Sequence, residues 1–241
     1  MTTTSQRRPR LLLKLSGESL AERGGYGIDH DRLSFVAGEV ADATRHGADI
    51  AVVVGGGNLV RGADLASAGD IDRVTADHMG MLGTMMNAIA LADKLRILGI
   101  DALALSSIGL PGVIQHFERD AARKMLDSGR TLVLGGGTGN PFFTTDTTAA
   151  LRAAQLGCSE ILKATKVDGV YTDDPMTNPD ATRYDRLTFC DAIEKQLKVM
   201  DATSFAMCRE NGIAVRVFRF DEPGNIAAVV AGEPIGTVVS P

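Results

Sequence analysis

Apolar residues along the chain fall into short runs, and three of these runs end in glycine. Leu11-Leu12-Leu13-Lys14-Leu15 leads into Ser16-Gly17, and Ile50-Ala51-Val52-Val53-Val54 leads into Gly55-Gly56-Gly57. Thr131-Leu132-Val133-Leu134 leads into Gly135-Gly136-Gly137-Thr138-Gly139. Runs this short, apolar without alternation and bounded by glycine, predict strands buried on both faces. Between them the spacing turns helical. Leu33, Val36, Val40 and Ala43 share a face over 31–46, as do Met81, Leu82, Met85, Ile89, Ala92 and Leu95 over 77–98. Residues 117–127 and 147–156 follow the same rule, with Gly157 as the stop of the second. Glu160-Ile161-Leu162, 214–220 and 237–239 read as further strands. The 191–211 stretch reads as helical with a break near Asp201, and the Pro- and Asp-rich 167–185 stretch as a loop or small hairpin.

Strands alternating with helices predict an α/β fold, a three-layer αβα sandwich around a mainly parallel central sheet. Nothing in the composition separates independent domains, so 10–241 reads as one domain with two lobes behind a flexible tail, 1–9. Such sheets bind ligands beyond the carboxyl ends of their strands. All three glycine turns fall at those ends, where they converge on one edge.

Composition narrows this picture. With 44% hydrophobic and 23% charged residues in 241, the chain can bury a sizeable core, and with 5% aromatics and no Trp that core is aliphatic. A net charge of -5 argues against general nucleic-acid binding. It leaves room for a local anion site, which needs only a few aimed donors. Cys158, Cys190 and Cys208 lack the spacing of a zinc site or disulfide framework and read as buried or part-buried thiols. His30, His46, His78 and His116 show no metal spacing and read as surface or structural. No apolar run approaches the ~20 residues of a membrane helix, and the polar, basic start does not resemble a signal peptide. The expectation is a cytoplasmic protein.

None of the glycine turns is a P-loop or a dinucleotide fingerprint, and no nucleophile elbow is present. Three glycine turns on one sheet edge nevertheless point to a polyphosphate, or to two phosphorylated ligands. Lys14, inside an aliphatic strand just before Ser16-Gly17, is placed either on a solvated edge or facing a phosphate. Arg61 is a second clamp or a surface residue. Asp146 either caps the helix that follows or orients nearby lysines. Of Lys163 and Lys166, one could neutralise phosphate and the other is exposed. Tyr171 and Asp174 sit in the Pro- and Asp-rich loop, where an aromatic can stack on a base or simply pack.

KLSGES at 14–19, GGGNLVRG at 55–62, DHMGML at 77–82, GTGNPFFTTD at 137–146, LKATKVDGVYTDDP at 162–175 and KVMD at 198–201 together resemble the bacterial uridylate kinases of the amino-acid kinase family. The resemblance spans about 10–240. It implies phosphoryl transfer from ATP to UMP with Mg²⁺, in a homohexamer, and no metal site beyond the Mg²⁺ that accompanies ATP. Carried over, Lys14, Leu15, Ser16, Gly17, Gly57, Arg61, Thr165, Tyr171 and Asp174 would contact ATP. Gly56, Asp77 and Thr138, Gly139, Asn140, Pro141, Phe142, Phe143, Thr144 and Thr145 would hold UMP, with Asp77 toward the ribose. Lys14, Asp146, Lys163 and Asp201 would form the catalytic set. Relatives respond to GTP as activator and UTP as inhibitor. Here Ala92 and Leu103 stand where some relatives carry a basic cluster, with Arg96 and Arg130 retained, which argues against GTP activation through those contacts while leaving UTP feedback expected.

The chemistry agrees with these assignments. A phosphate oxygen is already anionic near neutral pH, so the acceptor needs no strong base. Charge repulsion is the obstacle, and positive electrostatics with positioning must overcome it. Thr138, Asn140 and Thr145 offer hydrogen-bonding groups suited to a uracil edge.

Overall fold

The computed structural model describes residues 8–60, 69, 71–175, 177–197 and 199–241. Among the described residues nine strands form one sheet, built on a central strand β1 (Arg10–Leu15). On one side of it lie β2 (Asp49–Val54), β5 (Thr131–Gly135), β3 (Ala102–Ser106) and the short β4 (Gln115–His116). On the other lie β6 (Glu160–Thr165), β10 (Ala214–Arg219), β11 (Thr237–Ser240) and β9 (Arg186–Thr188). Every pairing is parallel except β10 with β11. A separate hairpin, β7 (Val170–Tyr171) with β8 (Arg183–Tyr184), forms inside the Pro- and Asp-rich stretch, as expected there.

The period-two alternation of side chains divides the core into two apolar layers. Leu11, Leu13 and Leu15 of β1 face one layer with Val52 and Val54 of β2. That layer is closed by α1 (His30–Arg45), α2 (Arg73–Ile97) and α7 (Asn225–Val230), through Val36, Val40, Leu91, Leu95, Ile226 and Val229. Leu12 faces the other layer with Val53, Leu132 and Ile161. Here the cover is α3 (Arg119–Asp127), α4 (Thr145–Leu156), α5 (Phe189–Glu194) and α6 (Ala202–Glu210). This is the expected αβα sandwich.

Helix ends follow local chemistry. Asp29, Asp72, Thr144, Thr188 and Asp201 cap five helices by accepting amide hydrogen bonds, and Gly157 ends α4 in the left-handed region at φ 74°. The break expected near Asp201 is therefore a cap.

Several expectations need correction. The helix expected over 77–98 begins one turn earlier, at Arg73, because Asp72 caps it. Leu82, assigned to its buried face, is 49% exposed, as are Met79 (37%) and Met86 (55%) nearby. Phe117 precedes its helix rather than starting it. The strand Ala102–Ser106 was not anticipated: Ala and Leu are helix formers, and pairing with β5 overrides that preference. Cys158 and Cys208 are buried as expected, but Cys190 is exposed on α5. All four histidines lie at the surface.

Candidate active site

Lys14 and Lys163 occupy directly paired positions on β1 and β6. Both point to the face of the sheet that carries α4, since Leu12 and Ile161, two residues earlier in each strand, also face that layer. Like charges opposite each other on neighbouring strands repel. The fold answers with Asp146, in the first turn of α4. Its carboxylate lies 2.9 Å from the Lys14 ammonium and 2.7 Å from that of Lys163. Lys163 also donates to the carbonyl of Val199. All three side chains are mostly buried, so the solvated-edge reading of Lys14 is set aside. Asp146 does not cap α4; Thr144 does, by accepting from the Thr147 amide.

Burial alone would raise the Asp146 pKa, but the fields of Lys14 and Lys163 and their hydrogen bonds outweigh it and hold the carboxyl below its ordinary value. Lys163 is pushed below the usual lysine value by burial, with the charge of Lys14 adding to the effect and Asp146 opposing it. The result is a carboxylate that stays ionised and two ammonium groups held side by side. Lys166, by contrast, is exposed and pairs with Glu18.

The first two glycine turns meet just past the carboxyl end of β1, three residues after Lys14. A Cβ on Gly17 would stand 2.5 Å from Asn58 Oδ1 and 2.8 Å from both Gly55 O and Gly57 N, so no other residue fits. Asn58 and Asn87 hold the second turn in place. Each side-chain amide donates to the other's oxygen, at 3.2 and 2.7 Å, while Asn87 also donates to Gly55 O and Asn58 to Gly27 O. Both are fully buried, and a buried polar pair is tolerated only when satisfied in this way. The glycine string drew attention to this turn; its asparagine anchor was not singled out, because the partner lies on α2, far along the chain.

Of the set matched to the phosphoryl donor, Lys14, Leu15, Ser16 and Gly17 lie at the end of β1, with Gly57 across from them. Thr165, Tyr171 and Asp174 line one cavity of about 670 Å³ together with Lys163. Tyr171 donates to Asp168 at 2.7 Å, which fixes its ring, and Asp168 also pairs with Arg183. Lys195, Gln196 and Leu197 line the same cavity and were not anticipated. Gln196 has φ 53°, an uncommon state for a residue with a side chain, of the kind found at binding sites. Arg61 lies outside the described residues, as do Lys198 of the KVMD string and most of the expected tail.

The set matched to the acceptor lies in the connection from β5 to α4 and beside α2. Asp77, on α2, accepts from Arg73 at 2.9 Å and from the Phe142 amide at 2.7 Å. Phe142 has φ 71°, so this loop too carries a strained residue. Phe142 and Phe143 are 65% and 50% exposed. Thr138 closes a local turn by exchanging hydrogen bonds with Asn140, and Pro141 follows it. Gly56 starts the turn whose carbonyl receives the Leu59 and Val60 amides. Thr145 begins α4 after its cap Thr144. Asp201 caps α6 and accepts from the hydroxyls of Thr144 and Thr147, tying the starts of α4 and α6 together. These hydrogen bonds outweigh burial and lower its pKa.

Among the described residues no group of three His, Cys, Asp or Glu side chains could cage a metal ion, and no helix is long and apolar enough to cross a membrane.

The amino acid kinase family model matches residues 9–219. A uridylate kinase of Bradyrhizobium diazoefficiens is 51% identical over 231 residues, which cover 96% of this chain and 97% of that protein. The crystal structure of UMP kinase from Bacillus anthracis superposes with a TM-score of 0.93 at 36% identity, covering 97% of each chain. The UMP kinase from Ureaplasma parvum gives 0.92 at 36% identity, covering 98% of this chain and all of that one.

Proposed function

The chain belongs to the amino acid kinase family, and on that premise we propose that it transfers the γ-phosphoryl group of ATP to UMP, giving ADP and UDP. The observation that carries this reading is the pair Lys14 and Lys163, held in register beside the glycine turns with Asp146 between them. A phosphate oxygen of UMP attacks the γ-phosphorus. The bond from that phosphorus to the β,γ-bridging oxygen breaks, and its electron pair leaves on ADP. The two ammonium groups offset the negative charge of the incoming and leaving groups, and Asp146 keeps both aimed. The donor nucleotide occupies the cavity lined by Thr165, Tyr171 and Asp174. The acceptor lies between Asp77 and the loop from Thr138 to Thr145. Asp201 acts at a distance, by fixing the start of α4 and so the direction of Asp146.

The divalent ion is Mg²⁺ in this reading. It favours oxygen donors and keeps several waters, so it suits a site where the substrate phosphates supply most ligands and the protein offers hard carboxylates rather than a cage. When bound it neutralises phosphate charge.

Assembly as a homohexamer is supported by the exposed apolar stripe Met79, Leu82 and Met86 on α2. UTP inhibition follows from its sharing the uridine of UMP. The basic cluster of some relatives is kept only in part: Ala92 is buried, and the retained Arg96 and Arg130 pair with Asp93 and Asp101, so any activation by GTP would use other contacts. The protein acts in pyrimidine nucleotide synthesis, in the cytoplasm.

The test is ADP release with ATP and Mg²⁺ across UMP, CMP, AMP, dTMP, glutamate derivatives and carbamate. Turnover confined to UMP is expected. Turnover on another acceptor would keep the fold and discard the acceptor pocket.

A further inference from the structure

Arg152 lies two turns into α4 and is 6% exposed. Among the described residues no carboxylate pairs with it. Its Nη2 donates to Ser107 Oγ at 2.6 Å, and its Nη1 donates to Gln155 Oε1. The guanidinium lies 4.1 Å from the centre of the Phe117 ring. Burial lowers its pKa to about 10, still far above neutral, so the cation persists. A buried cation held only by neutral groups is costly, and that cost points to a task.

The task is visible in what Ser107 does next. Its hydroxyl donates to the carbonyl of Gly137, at the start of the loop that runs from β5 to α4. The backbone there is pressed against the end of β3. Gly136 has φ 74°, and a Cβ on it would stand 2.3 Å from Ser106 Oγ. The Gly136 amide is held in turn by Thr84 Oγ1 on α2, at 2.7 Å. The loop is therefore anchored beneath by two hydroxyls, one reinforced by a charge. A hydroxyl that accepts from a guanidinium is polarised and becomes a stronger donor on its other side.

We propose that Arg152 is a positioning residue for the acceptor nucleotide, acting through Ser107 to fix the Gly137 carbonyl and with it the loop from Thr138 to Thr145. This rests on the reading of that loop as the UMP site. Neither Arg152 nor Ser107 touches the substrate in this account.

The experiment compares Arg152→Met, Ser107→Ala, the double variant and Arg152→Lys by steady-state kinetics in ATP and UMP. Each break in the relay raises the KM for UMP about tenfold, the worth of one charge-assisted hydrogen bond, while the KM for ATP stays within twofold. The double variant is no worse than the weaker single one, because both cut one relay. Arg152→Lys recovers part of the loss, since an ammonium can still donate to Ser107. Hydrogen exchange reads the same event without turnover: amides over 137–143 exchange faster in the variants, while those over 50–57 keep the parental rate. If Arg152→Met does not fold, Ser107→Ala carries the test alone. Equal changes in both KM values, strictly additive losses, or unchanged exchange over 137–143 would overturn the proposal. Failure of the UMP reading itself would show earlier, in the parent enzyme's choice of acceptor.

Discussion

Asp146→Asn isolates the charge that holds the two lysines together. The substitution keeps the shape of the side chain and removes its charge. At 2.7 and 2.9 Å, each lysine–carboxylate attraction is about 6 kcal/mol at an effective dielectric constant of 20. Burial of the carboxylate offsets much of this, and breaking a buried pair from one side typically costs about 3–5 kcal/mol. There is also a ceiling. Lys163 can escape by releasing its proton, which from its ordinary value of 10.5 to pH 7.5 costs at most about 4 kcal/mol. Both routes converge on about 4 kcal/mol, or roughly 10 °C in melting temperature for a domain of this size. Saturating ATP brings phosphate charge to the same ammonium groups, so the gap between variant and parent narrows with ATP while turnover still falls by orders of magnitude. The acid limb changes as well. The folded-state pKa of Asp146 lies below 3.8, so its stabilisation is present above the unfolded value and is lost as pH falls through the folded one. The variant lacks that portion of the loss. Thermal melts with and without ATP, and melts across acid pH, measure all of this. A variant that melts with the parent and turns over normally would refute the argument, as would a gap that ATP leaves unchanged.

Gly17→Ala is expected to abolish detectable turnover, because its Cβ collides with backbone at Gly55 and Gly57; isothermal titration should show ATP binding weakened at least tenfold. Asn87→Ala takes the donor away from Gly55 O and from Asn58 Oδ1 in the core, at about 1–3 kcal/mol for each acceptor, while Asn58 keeps its bond to Gly27 O; urea unfolding measures the loss. Cys158 and Cys208 are raised to about 12 by burial, above the 9.0 of a free thiol. Their contribution is complete below pH 9 and is lost as pH rises from there toward 12, at about 1.4 kcal/mol per pH unit for each thiol. A Cys158→Ala, Cys208→Ala double variant should show a correspondingly flatter alkaline limb. Leu82→Glu, on the exposed stripe of α2, should lower the assembly state seen by analytical ultracentrifugation without lowering the melting point of the separated subunit.

What could be read along the chain was whatever local physics dictates. Lys14 stood out because a charge inside an aliphatic strand needs a reason, and the glycine turns because only glycine allows backbones to approach so closely. The start of α4 was legible to within two residues, since Thr144, Thr145 and Asp146 all suit a first turn; only the structure shows that Thr144 caps and Asp146 turns to the lysines. Partnerships across the fold were not legible. Asn58 with Asn87, and Arg152 with Ser107, join residues 29 and 45 positions apart, and nothing in either neighbourhood names the other. Leu82 was misplaced for a different reason: helical periodicity marks an apolar face without saying what covers it. The strand Ala102–Ser106 was hidden by residues that favour helices when left alone.

The spacing of Lys14 and Lys163 belongs to the backbone, since two hydrogen-bonded parallel strands set it. Tolerance of insertions and deletions should therefore be sharply uneven along the chain. The turn between β7 and β8 joins two strands outside the main sheet, and residues added over 178–181, past those that line the donor cavity, need not disturb it. A single residue removed from β1 ahead of Lys14 would bring a leucine to the place beside Asp146 and turn the ammonium into the apolar layer beneath α1 and α2. Evolution can lengthen the hairpin, but it cannot shift the strand by one.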